Sequence, residues 1–305
     1  MNTQYSVGLP VRNEQETVRN TILDLLHQTI PPNEIHVCVN GSSDDTSKIV
    51  QDIAKVEHSI NLINSEKTGK ANAWNEIVKD NKDPKVLFCD GDIRINLSAA
   101  ENFLNEFESD PNLIIIGGKA FYAKPPKETL FSKYCVRDVN TSYQQEWISG
   151  ALYMTQINKL KKISCQKDLE IIPSHIINDD TFLDMITKDY NKVIDSAYFF
   201  ALPISTLHDW NAQSKRFIAA RQQLQNEYPK YYQDVKSQKQ NLGIYIKKFI
   251  EIDGFCKKVG ITSFFLFRKA MSLYYKNIGK IEYNTQWVET RSTKQSLEQL
   301  TFNNL

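Results

Sequence analysis

The strongest constraint on the fold is a repeated order of short apolar run, polar loop and amphipathic segment that begins at residue 6. Ser6–Val11 reads as a strand that stops at Arg12-Asn13-Glu14, and the next segment places Val18, Ile22, Leu25 and Leu26 at helical spacing. Residues 35–39 form a second apolar run, closed by the polar loop Asn40-Gly41-Ser42-Ser43-Asp44-Asp45-Thr46. A helix is expected after it through Ile49, Ile53 and Val56. Residues 60–63 give a weaker third strand, and Lys67-Thr68-Gly69-Lys70 turns into a helix with Lys70 near its start. This order is the pattern of a parallel sheet whose loops gather a ligand at the C-terminal ends of the strands.

A fourth run, residues 86–95, carries the chemistry. It is apolar through Cys89 and then presents Asp90-Gly91-Asp92. In an extended chain side chains at i and i+2 share a face, so the two carboxylates can converge on one ligand. Oxygen-only ligands suit a hard cation such as Mg²⁺ or Mn²⁺, and such a cation suits phosphate. Alone, the tripeptide reads first as a strand that stops at a polar turn. Lys70, beside the N–H groups of a helix start, can hold an anion, although a solvated lysine is the commoner meaning of that pattern.

Further along, a helix is expected around residues 97–107 and a buried strand at residues 113–118. Residues 119–147 are broken by Pro125-Pro126, with a short helix carrying Leu130, Tyr134 and Val136. Residues 147–154 read as a loop turning into a strand, where Ser149-Gly150 permits close backbone approach by a ligand. Asp179 and Asp180 stand at the start of a helix, a place where the helix dipole alone favours acids. Residues 192–202 form a strand ending at Pro203, and Ser205 or Thr206 can cap a long helix to about Glu227. On that helix Trp210, Gln213, Arg216 and Phe217 share one face, and a purely structural stripe would not usually include Gln and Arg.

Composition narrows the class. At 305 residues the chain can bury a full core, and its formal charge of +1 with no long basic run argues against nucleic acid as a partner. Five scattered cysteines fit reduced thiols in a cytosolic protein. The first residues lack a basic region and an apolar core, so no signal peptide is expected, and no apolar run is long enough to span a bilayer. A cytoplasmic protein is expected, with peripheral contact at the inner face of a membrane left open.

Together these segments resemble the family 2 glycosyltransferases with the GT-A fold. Pro10-Val11-Arg12-Asn13-Glu14 is similar to the family's opening Pro-x-x-Asn-Glu segment, and Asn40 to Thr46 to its nucleotide-binding loop. Asp90-Gly91-Asp92 stands where the Asp-x-Asp metal motif belongs, and Ser149-Gly150-Ala151 resembles the acceptor-side Gly-Ala segment. Asp179-Asp180 matches the Glu-Asp pair whose second acid is the base, and Gln213-Ser214-Lys215-Arg216-Phe217 is close to Gln-x-x-Arg-Trp. The motifs keep the family's order from residue 5 to about 225. Three departures stand out: Val39 and Asn40 replace two acids that commonly read a uracil ring, Asp179 replaces Glu, and Phe217 replaces Trp with no membrane-spanning helices after it.

The resemblance implies an α/β fold of GT-A type, a mixed and mostly parallel sheet flanked by helices, with a helical C-terminal appendage. Its catalytic domain would span residues 1–228, with a nucleotide-sugar half to about 118 and an acceptor half from about 119, and residues 229–305 would be the extension. It implies an inverting, metal-dependent and non-processive hexosyl- or N-acetylhexosaminyltransferase. The donor would be a nucleotide-sugar, a UDP-sugar first, and the acceptor a hydroxyl on a glycan, a lipid-linked or a small-molecule acceptor. By residue, Asp92 and Asp90 would hold Mn²⁺ or Mg²⁺, and Asp180 would be the catalytic base. Pro10, Val11, Asn13, Glu14, Asn40, Ser42, Asp44, Lys70, Asp90 and Gly91 would line the nucleotide-sugar site. Gly150, Asp179, Gln213, Arg216 and Phe217 would face the acceptor and diphosphate. His208 is a minor candidate for a further metal ligand, and the other histidines have no role.

From residue 241 the pattern turns aromatic and basic, with Phe264, Phe267, Met271, Tyr274 and Ile278 at helical spacing. The first reading is an amphipathic appendage covering the catalytic domain; the second is an interfacial surface that meets a lipid-linked acceptor. Arg291, in a polar tail after Trp287, could reach the diphosphate, but a frayed and solvated terminus is the preferred expectation. Two rival functions remain: a sugar-1-phosphate nucleotidyltransferase, whose glycine-rich opening loop is missing here, and a non-catalytic nucleotide- or sugar-binding protein of the same fold.

Overall fold

A computed structural model of the chain describes residues 3–123, 129–135, 147–232, 254–277 and 291–295. Its centre is an eight-stranded sheet in the order β3-β2-β1-β4-β7-β6-β8-β5. β1 (Ser6–Val11), β2 (Ile35–Asn40), β3 (Ile60–Ser65) and β4 (Lys85–Cys89) run parallel, as the sequence pattern predicts. β7 (Leu152–Gln156) is antiparallel to β4 and to β6 (Ile115–Tyr122), while β8 (Asn191–Ala201) runs parallel to β6 and antiparallel to β5 (Ile93–Ile95).

Burial on both faces explains the near-continuous apolar strands. Along β4, Leu87 and Cys89 enter one core cluster and Val86 and Phe88 the other. The first cluster packs under α1 (Val18–Leu26), α2 (Thr46–Ala54) and α4 (Ala99–Ser109). The second lies under α3 (Lys70–Asp80), α6 (Ile157–Gln166) and α7 (Asp179–Thr187). There the Phe88 ring stacks between Trp74 and Tyr153 at centroid distances of 5.0 and 5.5 Å. A Cβ on Gly8 would stand 2.5 Å from that ring, so this strand position admits only glycine without repacking.

α5 (Leu130–Cys135), α8 (Leu207–Glu227), α9 (Pro229–Tyr232) and α10 (Phe255–Asn277) complete the described helices. Thr206 caps α8, its hydroxyl accepting from Asp209 N at 3.1 Å, as one of the two expected caps. Trp210 of α8 packs on Phe264 and Phe267 of α10 with centroids 4.9 and 5.7 Å apart, so α10 covers the domain with that edge. Phe255, Val259, Leu266, Leu273 and Tyr274 of the same helix remain exposed. Among the described residues no helix is long and apolar enough to cross a membrane. Pro125-Pro126, Val136, residues 241–250, Ile278 and Trp287 lie outside the described residues.

Three local expectations are corrected. Residues 86–95 are not one strand: the chain turns at Asp90–Asp92 and leaves the central β4 for β5 at the far edge of the sheet. α6 was not anticipated, although Ile157, Leu160 and Ile163 repeat at helical spacing and are buried. Val56 lies beyond the end of α2 and is exposed.

Candidate functional site

The C-terminal ends of β1, β2 and β4 open on one edge of the sheet, where the loops predicted to bind a ligand meet. The loop after β1 turns at Asn13, which adopts a left-handed φ of 52°. Hydrogen bonds stitch it to the loop after β2: Asn13 N donates to Ser42 Oγ (3.1 Å), Ser43 N to Asn13 Oδ1 (2.7 Å), Glu14 N to Thr46 Oγ1 (2.8 Å) and Gln15 N to Asp44 Oδ2 (3.1 Å). Asp44 also receives Thr46 N at 3.0 Å, and Asn40 Oδ1 receives Gly69 N at 2.7 Å. Asn40, Ser42 and Asp44 therefore join loops to one another, and any ligand contact they make comes in addition. Pro10 and Val11 are buried within β1 and face Cys38 and Val39 in the sheet register.

The Asp90–Asp92 turn is held from below by the first two turns of α1. The Thr21 hydroxyl lies 3.0 and 2.8 Å from the carbonyls of Gly91 and Ile93. Three residues on, Asp24 takes the guanidinium of Arg94 in a two-point pair (2.7 and 2.8 Å) and the N–H of Ile95 at 2.9 Å. Glu14 passes against Gly91: a Cβ there would be 1.8 Å from Glu14 Oε2 and 2.8 Å from Val11 Cγ1, so a larger residue would have to displace the Glu14 carboxylate. The i and i+2 argument for a strand is thus replaced by a turn, in which Asp90 is still close enough to push the Asp92 pKa up.

Lys70 occupies the middle of the acids. Its ammonium is 2.6 Å from Asp90 Oδ1, 3.0 Å from the Gly150 carbonyl and 3.9 Å from Asp179 Oδ2. Burial alone would lower its pKa, but the carboxylates of Asp179, Asp90 and Asp180 outweigh this and hold it raised. Asp180 accepts from Gly150 N at 3.0 Å and from Thr181 N at 2.5 Å. Burial and the neighbouring Asp179 push its pKa up, against Lys70, the Gly150 N–H and Arg216. Arg216 donates to the Ile177 carbonyl at 3.3 Å, Gln213 is half-buried and Phe217 is exposed. The His208 side chain is 91% exposed, with Nδ1 3.3 Å from Asp209 Oδ1.

Two residues that sequence reasoning missed close the site. Thr293 Oγ1 donates to Asp92 Oδ2 at 3.1 Å, and Lys294 Nζ lies 3.3 Å from Glu14 Oε1 and bonds the Arg12 carbonyl. Residues 291–295 pack on this edge of the sheet rather than fraying into solvent, and with Asn13, Gln15, Glu16, Ser43 and Asp44 the side chains of Arg291 and Lys294 line a cleft of about 350 Å³. The polar Arg291–Thr293 tail was the available signal, but nothing local says which acids it meets.

The acids still exceed their partners. Burial first, then Asp92 and Asp90, push Glu14 up to about 8 despite Lys294, and burial with Asp90 pushes Asp92 up to about 6 despite Lys294, Thr293 and Lys70. Glu14 Oε2 and Asp179 Oδ2 are buried with no hydrogen-bond partner among the described residues. Such a surplus fits a hard divalent cation. Among the described residues no three His, Cys, Asp or Glu side chains form a complete metal cage. Mg²⁺ or Mn²⁺ held by one or two carboxylates normally completes its shell with phosphate and water, so the two-acid turn fits it.

Comparison with known proteins gives the family and the fold. The family model "Glycosyl transferase family 2" matches residues 6–159. A poly-beta-1,6-N-acetyl-D-glucosamine synthase of Staphylococcus epidermidis is 35% identical over 107 residues, covering 35% of this chain and 26% of that protein. The corresponding synthase of Staphylococcus aureus is 30% identical over 106 residues, with the same coverage of 35% and 26%. The chain thus spans about a quarter of the length of the curated relatives it matches. Among solved structures, the mannosyltransferase PcManGT of Pyrobaculum calidifontis in complex with GDP-Man and Mn²⁺ superposes with a TM-score of 0.54 at 13% identity, covering 90% of this chain and 79% of that one. Staphylococcus aureus TarS 1–349 in complex with UDP-GlcNAc gives 0.50 at 16% identity, covering 66% and 58%. These likenesses carry the fold, and the family match over residues 6–159, on the β1, β2 and β4 edge just described, carries the assignment: the chain belongs to family 2 of the glycosyltransferases.

Proposed function

We propose that the chain transfers a sugar from a nucleotide-sugar to an acceptor hydroxyl with inversion, using a divalent cation and Asp180 as general base. The observation that carries this reading is the meeting of Asp90, Asp179 and Asp180 around Lys70, with Asp92 and Glu14 next to Asp90, at the open edge of the parallel strands. The donor half would be residues 1–118 and the acceptor half 119–228. A UDP-N-acetylhexosamine is the first donor to test, because TarS is seen with UDP-GlcNAc and the sequence relatives are N-acetylglucosamine polymer synthases. GDP-mannose is the second, because PcManGT is seen with it.

Asp92 and Asp90 would hold Mn²⁺ or Mg²⁺, which when bound supplies positive charge to the leaving diphosphate. Lys70 balances Asp90 and Asp179 and so keeps the turn and α7 together as the site fills. Asp180 is fastened by the Gly150 and Thr181 N–H groups, leaving lone pairs for an incoming hydroxyl. As the acceptor oxygen bonds to the anomeric carbon and the bond to the diphosphate breaks, the hydroxyl proton passes to the Asp180 carboxylate. Attack opposite the leaving group inverts that carbon. The raised pKa of Asp180 makes it a stronger proton acceptor than a solvated aspartate.

Asp180→Asn should leave nucleotide-sugar binding in place and lower turnover about a hundredfold or more. Transfer at a near-normal rate by the Asn variant would remove Asp180 from the mechanism, and binding without turnover by the native chain would favour a non-catalytic binding protein.

A further inference from the structure

The tail that closes the site reaches one of the two acids proposed to hold the cation. Thr293 Oγ1 takes up Asp92 Oδ2 at 3.1 Å, an oxygen that a metal at Asp92 would use. Next to it the Lys294 side chain is 11% exposed and lies 3.3 Å from Glu14, whose own side chain is 3% exposed. Lys294 bonds the Arg12 carbonyl as well, so the segment is anchored at both Asp92 and the loop after β1. The pocket it enters has a ligand-seeking atom left over, because Glu14 Oε2 has no hydrogen-bond partner among the described residues and faces the bare side of Gly91. Lys70 already serves the opposite flank at Asp90 and Asp179.

We propose that residues 291–295 form a built-in cationic strap: Thr293 and Lys294 hold the Glu14–Asp92 side of the cluster until a divalent cation displaces them, so strap and metal compete for one site. The inference rests on Asp92 being a metal ligand. Like charges held a few ångströms apart in a half-buried site repel strongly, so an ion seated on Asp92 drives the Lys294 ammonium away. Arg291 and Lys294 already border the cleft shared with Asn13, Ser43 and Asp44, which gives the displaced strap a polar surface to move along.

The test measures Mn²⁺ binding to the full chain without nucleotide, by the electron paramagnetic resonance of free Mn²⁺. The double variant Thr293→Val, Lys294→Met should bind Mn²⁺ about tenfold more tightly than the native chain, and Lys294→Arg should bind it as the native chain does. Hydrogen exchange on the native chain provides a measurement free of any folding defect: Mn²⁺ should speed exchange at the amides of residues 291–295. Equal or weaker Mn²⁺ affinity in the double variant, or exchange unchanged by Mn²⁺, overturns the strap. If that happens while transfer by the native chain remains metal-dependent, only the strap fails; absence of Mn²⁺ binding by every protein both without nucleotide and with UDP or GDP added overturns the metal reading with it.

Discussion

Replacing Glu14 by Gln isolates the cost of the acid surplus. The glutamate is held at about 8 against an ordinary 4.5, by burial and then by Asp92 and Asp90. A folded state that holds a proton more tightly than the unfolded chain loses stability as pH rises between the two values. At about 1.4 kcal/mol per proton per pH unit, the native chain should lose on the order of 4 kcal/mol between pH 4.5 and 8 through this group alone. Its contribution is intact below pH 4.5 and fully lost above pH 8. Gln keeps the shape and cannot ionise, so its stability lacks that slope. Urea unfolding followed by tryptophan fluorescence, in the presence of a chelator and from pH 5 to 8.5, gives the difference between the two proteins and cancels the groups they share. The Gln variant should gain steadily on the native chain as pH rises. A difference that stays flat, or that runs the other way, would refute the account of Glu14 as a buried and undercompensated acid.

Two shorter predictions concern the turn and the appendage. Gly91→Ala places a Cβ 1.8 Å from Glu14 Oε2, so Glu14 must leave its place; a loss of about 1–3 kcal/mol and of metal-dependent nucleotide binding is expected, and a variant with native melting and binding would show that the contact is not needed. The exposed Phe255, Val259, Leu266 and Leu273 of α10, on a helix that also carries Lys257, Lys258, Arg268 and Lys269 and no acid, fit contact with an anionic bilayer. Co-sedimentation with vesicles rich in anionic lipid should drop when Leu266 and Leu273 become Ser, and sedimentation unchanged by the substitutions would exclude that face.

The parallel half of the sheet was legible because each of its strands is a short apolar run closed by turn residues, and each helix repeats apolar residues at its own period. The Thr206 cap and the acids at the start of α7 were legible for the same local reason. What stayed hidden was long-range. The run through Asp90–Asp92 gives no sign that Ile93–Ile95 departs to the far edge, since that depends on pairing with β8, about a hundred residues on. Asp24 and Arg94 are ordinary charges until the fold places them together. Loop residues Asn40, Ser42 and Asp44 were expected at a ligand, and their visible partners are other loops, because a polar side chain that shapes a binding loop and one that touches a ligand look the same in sequence. Thr293 and Lys294 were hidden most completely, since their partners lie 201 and 280 residues away.

The central claim, that the Asp90–Asp92 turn serves metal-dependent sugar transfer, is tested most directly by release of nucleoside diphosphate from UDP-GlcNAc and from GDP-mannose. The native chain should release it from one of these donors with Mn²⁺ and not with chelator, and Asp92→Asn should abolish the metal-dependent part while keeping the fold. Release at the same rate with chelator, or at the native rate in the Asn variant, would contradict it.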